Sequence, residues 1–182
     1  MISRFYRSAS EFKRFQGTLK QCPCPYCRRT GFLILHGFLY GYTENGGAEK
    51  IKRGHRIFCS NRNQRRGCGR TFSCLAAVFI KNFILTTQSL WNFLQNFITS
   101  ANKYQSFTRL HLPFSATTIY RIYQRFDQRQ SFLRSRLRML CPPPAVADPH
   151  PLLQTIRHLQ SAFKNTACPL TALQSRLQLS LF

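Results

Sequence analysis

Acidic residues are what this sequence most lacks. Five occur in 182 residues (Glu11, Glu44, Glu49, Asp127 and Asp148), against 27 Lys and Arg. Two-metal phosphoryl-transfer sites need several converging carboxylates. Here two of the acids fall in an expected hairpin turn and the others are far apart in the chain, so no carboxylate-based nuclease or transposase centre is expected. Long apolar runs are also missing. The longest, CLAAVFI, is seven residues and stops at Lys81, well short of the roughly 20 that span a bilayer. The N-terminal MISRFYRSASEFKRF is broken by charge every few residues and has no apolar stretch of the secretory kind. These features predict a cytoplasmic protein without membrane association, in which paired thiols more often mean metal than disulfide.

What is present is a basic chain able to build a core. Hydrophobic residues make up 43% and aromatics 14%, with 17 Phe, and the formal net charge is +22. The first figures exclude a disordered basic tail, and the charge favours a polyanionic partner.

The composition shifts along the chain. Residues 1–20 read as a basic leader with room for a short helix. Residues 21–74 hold six of the eight Cys and eight of the nine Gly and read as a small loop-rich module. Within it GFLILHGFLYGYT is expected as strand, ENGG as a hairpin turn and AEKIKRGHRIFCS as the returning strand. Residues 75–140 turn helical. In TTQSLWNFLQNFITS, capped by Thr86 or Thr87, the residues Leu90, Trp91, Leu94, Phe97 and Ile98 form one apolar face. A short helix follows in NKYQSFTRL, then the break HLPFS. Ser115 opens a longer helix with the stripe Ile119, Ile122, Tyr123, Phe126, Leu133 and Leu137. CPPPAVADPHP (141–151) is a proline-rich linker. In 152–182, Leu152, Ile156, Leu159 and Phe163 recur at helical spacing before an apolar tail. The fold class predicted is α+β: a small zinc ribbon, a helical unit and a C-terminal helix.

The cysteines carry the sharpest signal. CPYC (24–27) is a C-x2-C knuckle whose tight turn aims two thiolates at one ion. Cys59 and Cys68, brought alongside by the intervening hairpin, would complete a closed tetrahedral set for one structural Zn2+. Such an ion supplies folding free energy that a module of this size lacks. Eight residues separate Cys59 from Cys68 where two are usual. Cys22 competes as a ligand in C-x-C-x2-C, with His36, His55 and Cys74 as lesser candidates. A catalytic zinc would need an open position and a water activator, and no candidate pair is visible.

A CPxC knuckle, a hairpin, then CGRTFS and a helix-turn-helix pattern resembles the N-terminal DNA-binding portion of bacterial insertion-sequence transposases. Short stand-alone proteins of mobile elements that stop after those parts are more similar still. The resemblance covers about residues 21–138. It implies that Cys24, Cys27, Cys59 and Cys68 bind zinc, that the helix after LPFS enters DNA, and that the chain works at the bacterial nucleoid. The expanded second knuckle and the lack of an acid-rich catalytic domain depart from the pattern, so transposase chemistry is not carried over.

Lys50 to Arg70 holds eight basic residues and no acid, and Lys103 to Arg138 eight more against Asp127 alone. Two basic surfaces suit a bipartite grip on double-stranded DNA. Arg62, Arg65, Arg66 and Arg70 are expected on phosphates, and the helix in the major groove with its N-terminal residues nearest the bases. Ser115, Thr117, Thr118, Arg121, Gln124 and Arg125 are the expected reading face, since Arg pairs guanine and Gln pairs adenine bidentately. Tyr120, Tyr123, Phe126 and Trp91 sit at core spacing. Phe32, Phe38, Tyr40 and Tyr42 share a strand face if its period of two holds. Packing within the hairpin is the expectation for them, and stacking on single-stranded bases the alternative.

The function expected is a non-catalytic, zinc-dependent DNA-binding protein of a mobile element, accessory to or regulating a transposase or recombinase encoded elsewhere. A small transcriptional regulator shares that chemistry, and the apolar tail would serve a protein partner or a homodimer. An RNA-binding zinc-ribbon protein is the reading from another class. A nuclease, His-based through His36, His55 or His111, is the least supported.

Overall fold

The computed structural model describes residues 3–100, 102–145 and 150–182. Asp148 and residues 146–149 of the proline-rich segment lie outside them. The chain is α+β, with ten elements among the described residues: β1 (Ser3–Tyr6), α1 (Ala9–Gly17), β2 (Leu33–Tyr42), β3 (Lys50–Cys59), β4 (Thr71–Ala76), α2 (Thr87–Ser100), α3 (Lys103–Thr108), α4 (Ala116–Arg138), α5 (Pro151–Ala162) and α6 (Pro169–Leu177).

The four strands form one sheet in the order β1-β4-β3-β2. The β2–β3 hairpin falls where the alternating residues and the ENGG turn place it. The sheet extends beyond the hairpin that the alternation predicts. Phe72, Cys74 and Leu75 of β4 are buried, and β4 pairs antiparallel with β3, Ile57 opposite Phe72. Residues Ser3–Tyr6, read as part of a leader, are an edge strand parallel to β4, with Phe5 opposite Leu75. Four residues are too few to show a period, which hid β1.

Ser8 starts α1: its hydroxyl accepts the Glu11 N–H (3.2 Å) while the Glu11 carboxylate accepts the Arg7 N–H (2.7 Å), a reciprocal cap at S-x-x-E. The helix buries Phe12 against the sheet, in a cluster with Leu19, Leu33, Ile57, Phe72, Cys24, Cys59 and Cys74. That cluster of eight buried residues is small. The helices pack around a separate one of 20, to which α2, α4, α5 and α6 all contribute. The stripes read from the sequence are its substance. Ile119, Ile122, Tyr123, Phe126, Leu133 and Leu137 of α4 and Leu152, Ile156 and Leu159 of α5 are all buried.

The C-terminal residues, whose docking place was not legible, close the fold. Gln174 donates to the Ala77 and Phe79 carbonyls (2.8 and 3.1 Å). The Gln178 side-chain amide accepts from the Phe5 N–H and donates to the Phe5 carbonyl, both at 2.9 Å. That amide pairs the open edge of β1 as a neighbouring strand would.

The hairpin is fastened to the helices by polar groups near its turn. Glu44 accepts from the Thr86 N–H (2.8 Å) and from the hydroxyls of Thr86 (3.1 Å) and Ser89 (2.8 Å) at the start of α2. Thr86 itself caps that helix by accepting the Ser89 N–H (3.2 Å). Buried Arg53 donates to the carbonyls of Tyr42 (3.0 Å), Ile84 (2.8 Å) and Phe83. Replacing Glu44 by Ala removes three acceptor contacts and the carboxylate at a helix N-terminus. The expected cost is about 1–2 kcal/mol, a fall in Tm of roughly 2–8 °C for a chain this long. Thermal melts followed by circular dichroism check this, with Glu44→Gln expected to recover part of the loss.

Candidate metal centre

Four thiols converge at the end of the sheet nearest Cys59. Cys24 and Cys27 lie in the turn before β2, Cys59 ends β3 and Cys68 precedes β4. Their sulfurs all lie within 4.8 Å of one another, with Cys24–Cys68 at 3.7 Å and Cys27–Cys59 at 3.8 Å. Sulfurs about 2.3 Å from one tetrahedral ion stand about 3.8 Å apart, whereas a disulfide brings them to about 2.05 Å. The donor set therefore fits a single metal ion. Cys22, Cys74, His36 and His55 stand outside the group.

Backbone N–H groups prepare the site. The Tyr26 N–H donates to Cys24 Sγ (3.5 Å) and the Cys68 N–H to Cys59 Sγ (3.3 Å). The Arg29 N–H reaches Cys27 and the Arg70 N–H reaches Cys68. In both knuckles the second thiol accepts from the residue two beyond it. The Arg29 N–H and neighbouring thiols hold Cys27 down at about 7 against the burial that opposes them, so a thiolate is accessible near neutral pH. Burial pushes the Cys59 thiol up to about 12, and a bound cation would have to displace its proton. Cys74, also pushed to about 12 by burial, packs under α1 as a small apolar side chain.

The eight-residue spacing resolves into an ordinary knuckle with an insertion. Gly67 N–H donates to the Ser60 carbonyl at 3.1 Å, and Gly69 N–H to the Cys59 carbonyl at 2.9 Å. Ser60 and Gly67 therefore stand where the two inner residues of C-x2-C would be, and Asn61–Arg66 leaves the knuckle between them. A Cβ on Gly67 would lie 2.2 Å from the Ser60 oxygen, and Gly69 has φ +70°, so both positions need glycine. At the tip the Arg65 N–H donates to the Arg62 carbonyl (3.1 Å). Asn63 and Gln64 between them have φ of 51° and 61°, the left-handed pair of a type I′ turn.

This loop carries three of the phosphate-contact candidates. Arg62, Arg65 and Arg66 are exposed on it and Arg70 is exposed at its base, the Arg70 guanidinium 5.3 Å from the Tyr26 ring. The other candidates share one element. Ser115 is the N-cap of α4, and Thr117, Thr118, Arg121, Gln124 and Arg125 are exposed over its first half, opposite the buried stripe. Arg125 also lies over the Phe83 ring at 5.0 Å. Hairpin and α4 approach each other, since a side chain at Gly46 would meet the Pro113 ring, two residues before the cap.

Comparisons with protein-family models, with curated proteins and with solved structures find no match.

Three of the five acids are held in structural contacts. Glu11 meets Arg7 (3.6 Å), Glu44 holds α2, and Asp127 accepts from Gln130. No described helix is long and apolar enough to cross a membrane. Phe38, Tyr40 and Tyr42 depart from the packing that their alternation predicts. They were expected to pack within the hairpin and are instead exposed, while Phe32 packs beside the cysteine cluster. The register explains it. The pairing skips His36 between Leu35 and Gly37, which breaks the period of two that would have joined Phe32 to the other three. A glycine inside a strand, here Gly37, is the one sequence signal of such a break.

Proposed function

We propose that the protein is a non-catalytic DNA-binding protein whose recognition surface is organised by one structural zinc ion. The observation that carries this reading is the arginine loop Asn61–Arg66, which leaves a four-cysteine knuckle pair. Tetrahedral sulfur ligation favours zinc or iron, and a closed four-thiolate shell with no vacant position suits a structural role. The ion would fix Cys59 and Cys68, and with them the loop base. The tip arginines then meet phosphates without first losing the entropy of a free loop. The exposed α4 residues Thr117, Thr118, Arg121, Gln124 and Arg125, entering by the helix N-terminus, would supply base contacts in the major groove.

The resemblance to the DNA-binding portion of insertion-sequence transposases supports a place in a mobile element. With three of the acids held structurally, the chain would target or regulate a recombinase encoded elsewhere and would not cut DNA.

Fluorescence anisotropy with a labelled duplex, titrated at several salt concentrations beside metal analysis of the same sample, tests both parts. One zinc per chain is expected. The log–log salt slope should correspond to several neutralised phosphates, and Arg121→Ala with Gln124→Ala should reduce discrimination between duplex sequences by roughly tenfold. Iron in place of zinc, or duplex affinity that ignores salt, would overturn the reading.

A further inference from the structure

The exposed aromatic edge of the sheet shares no residue with the arginine loop or α4. Phe38, Tyr40 and Tyr42 are 53%, 59% and 45% exposed on β2, an outer strand of the sheet. Single exposed apolar residues are ordinary, but three aromatics at alternate positions of one edge strand form a continuous surface. They lie opposite His55, Lys52 and Lys50 of β3 respectively. Phe38 meets both His55 (ring centroids 5.3 Å) and Tyr40 (6.1 Å), which puts these rings on the sheet face that α1 covers. That cover ends at His55, on which Phe12 stacks at 3.7 Å. Beyond it, lysines lie over two of the three rings. Lys52 Nζ lies 4.0 Å from the Phe38 ring centre and Lys50 Nζ 5.5 Å from that of Tyr42. Around the strand edge, Tyr40 and Tyr42 also line a cleft of about 400 Å³ with Arg56 and Lys81.

We propose that this edge binds single-stranded nucleic acid, with unpaired bases stacking on Phe38 and Tyr40 while Lys50 and Lys52 meet the phosphates. Rings that offer flat faces beside cations match a polymer that alternates flat bases with anions. A duplex cannot use the rings, because its bases are already stacked. An apolar protein partner would be opposed by the lysines over the rings. Of the two acids in the hairpin turn, Glu44 is turned to α2, and Glu49 is the one exposed carboxylate beside Lys50.

The test uses the full chain in four titrations. The ligands are labelled oligo-dT of about 15 nucleotides, oligo-rU of the same length, an abasic strand of that length and a mixed-sequence duplex. Phe38→Ala and Tyr40→Ala remove exposed rings, so fold and metal content should be retained, and both are measured. Each substitution is expected to weaken single-strand binding by roughly tenfold while leaving duplex affinity unchanged. Stronger binding of dT identifies a DNA strand and stronger binding of rU an RNA strand, each in support. Equal affinity for the abasic strand, or wild-type single-strand affinity in both variants, overturns the proposal. If duplex binding fails while ring-dependent binding persists, the duplex reading falls and this one stands.

Discussion

Replacing Cys59 by Ser is expected to abolish metal binding and unfold the sheet while the helices stay folded. Serine nearly preserves volume, so the packing loss is small and the effect reports the lost ligand. Structural zinc contributes about 10–16 kcal/mol in small modules, comparable with the whole stability of a typical domain, about 5–15 kcal/mol. Nothing else in the sheet offers a reserve of that size. Its main cluster has eight buried residues, two of them the ligands Cys24 and Cys59, whereas the helices share a core of 20. The check is metal content with far-ultraviolet circular dichroism and amide exchange. Amides of β2, β3 and β4 should lose protection while those of α2 and α4 keep it. Cys141→Ser, outside the cluster, is the control and should bind metal as the wild type does. A Cys59→Ser protein that still holds one ion per chain would mean that another group completes the site.

The centre was legible because its chemistry is written in spacing. CPYC fixes two ligands by one turn, and hairpin pairing brings Leu33 opposite Cys59, so the second pair arrives wherever the hairpin closes. The insertion was visible only as a number, eight residues in place of two. What the sequence hides is that Gly67 returns to Ser60, a close backbone approach that no side-chain pattern encodes. The same limit explains the aromatic edge. Strand and hairpin were readable from alternation, but the shift at His36 changes the alternation's phase, and phase decides which rings face solvent. Helical stripes survive such effects because one turn averages several residues. The stripes of α4 and α5 were accordingly found intact, while the four-residue β1 and the amide of Gln178 that pairs its edge were not foreseen.

Deleting Asn61–Arg66 outright should leave the metal centre standing and remove much of the duplex affinity. The deletion joins Ser60 to Gly67, already within hydrogen-bonding distance at 3.1 Å, and leaves Cys59-Ser60-Gly67-Cys68, a two-residue knuckle. The Cys68 N–H to Cys59 bond and the Arg70 N–H to Cys68 bond lie outside the excised segment, so metal content and the melting temperature should hold. Three arginines leave with the loop. If each neutralises one phosphate, the log–log salt slope should become shallower by about 2.7, and affinity at 0.1 M salt should fall by about two to three orders of magnitude. The triple substitution Arg62→Gln, Arg65→Gln and Arg66→Gln, which keeps the loop and its turn, should change the slope by the same amount. Agreement between the two variants assigns the effect to charge and not to loop shape. A shortened protein with an unchanged slope would place the phosphate contacts elsewhere, on α4 or the lysines of β3. The insertion would then be a tolerated excursion from the knuckle and not part of its binding surface.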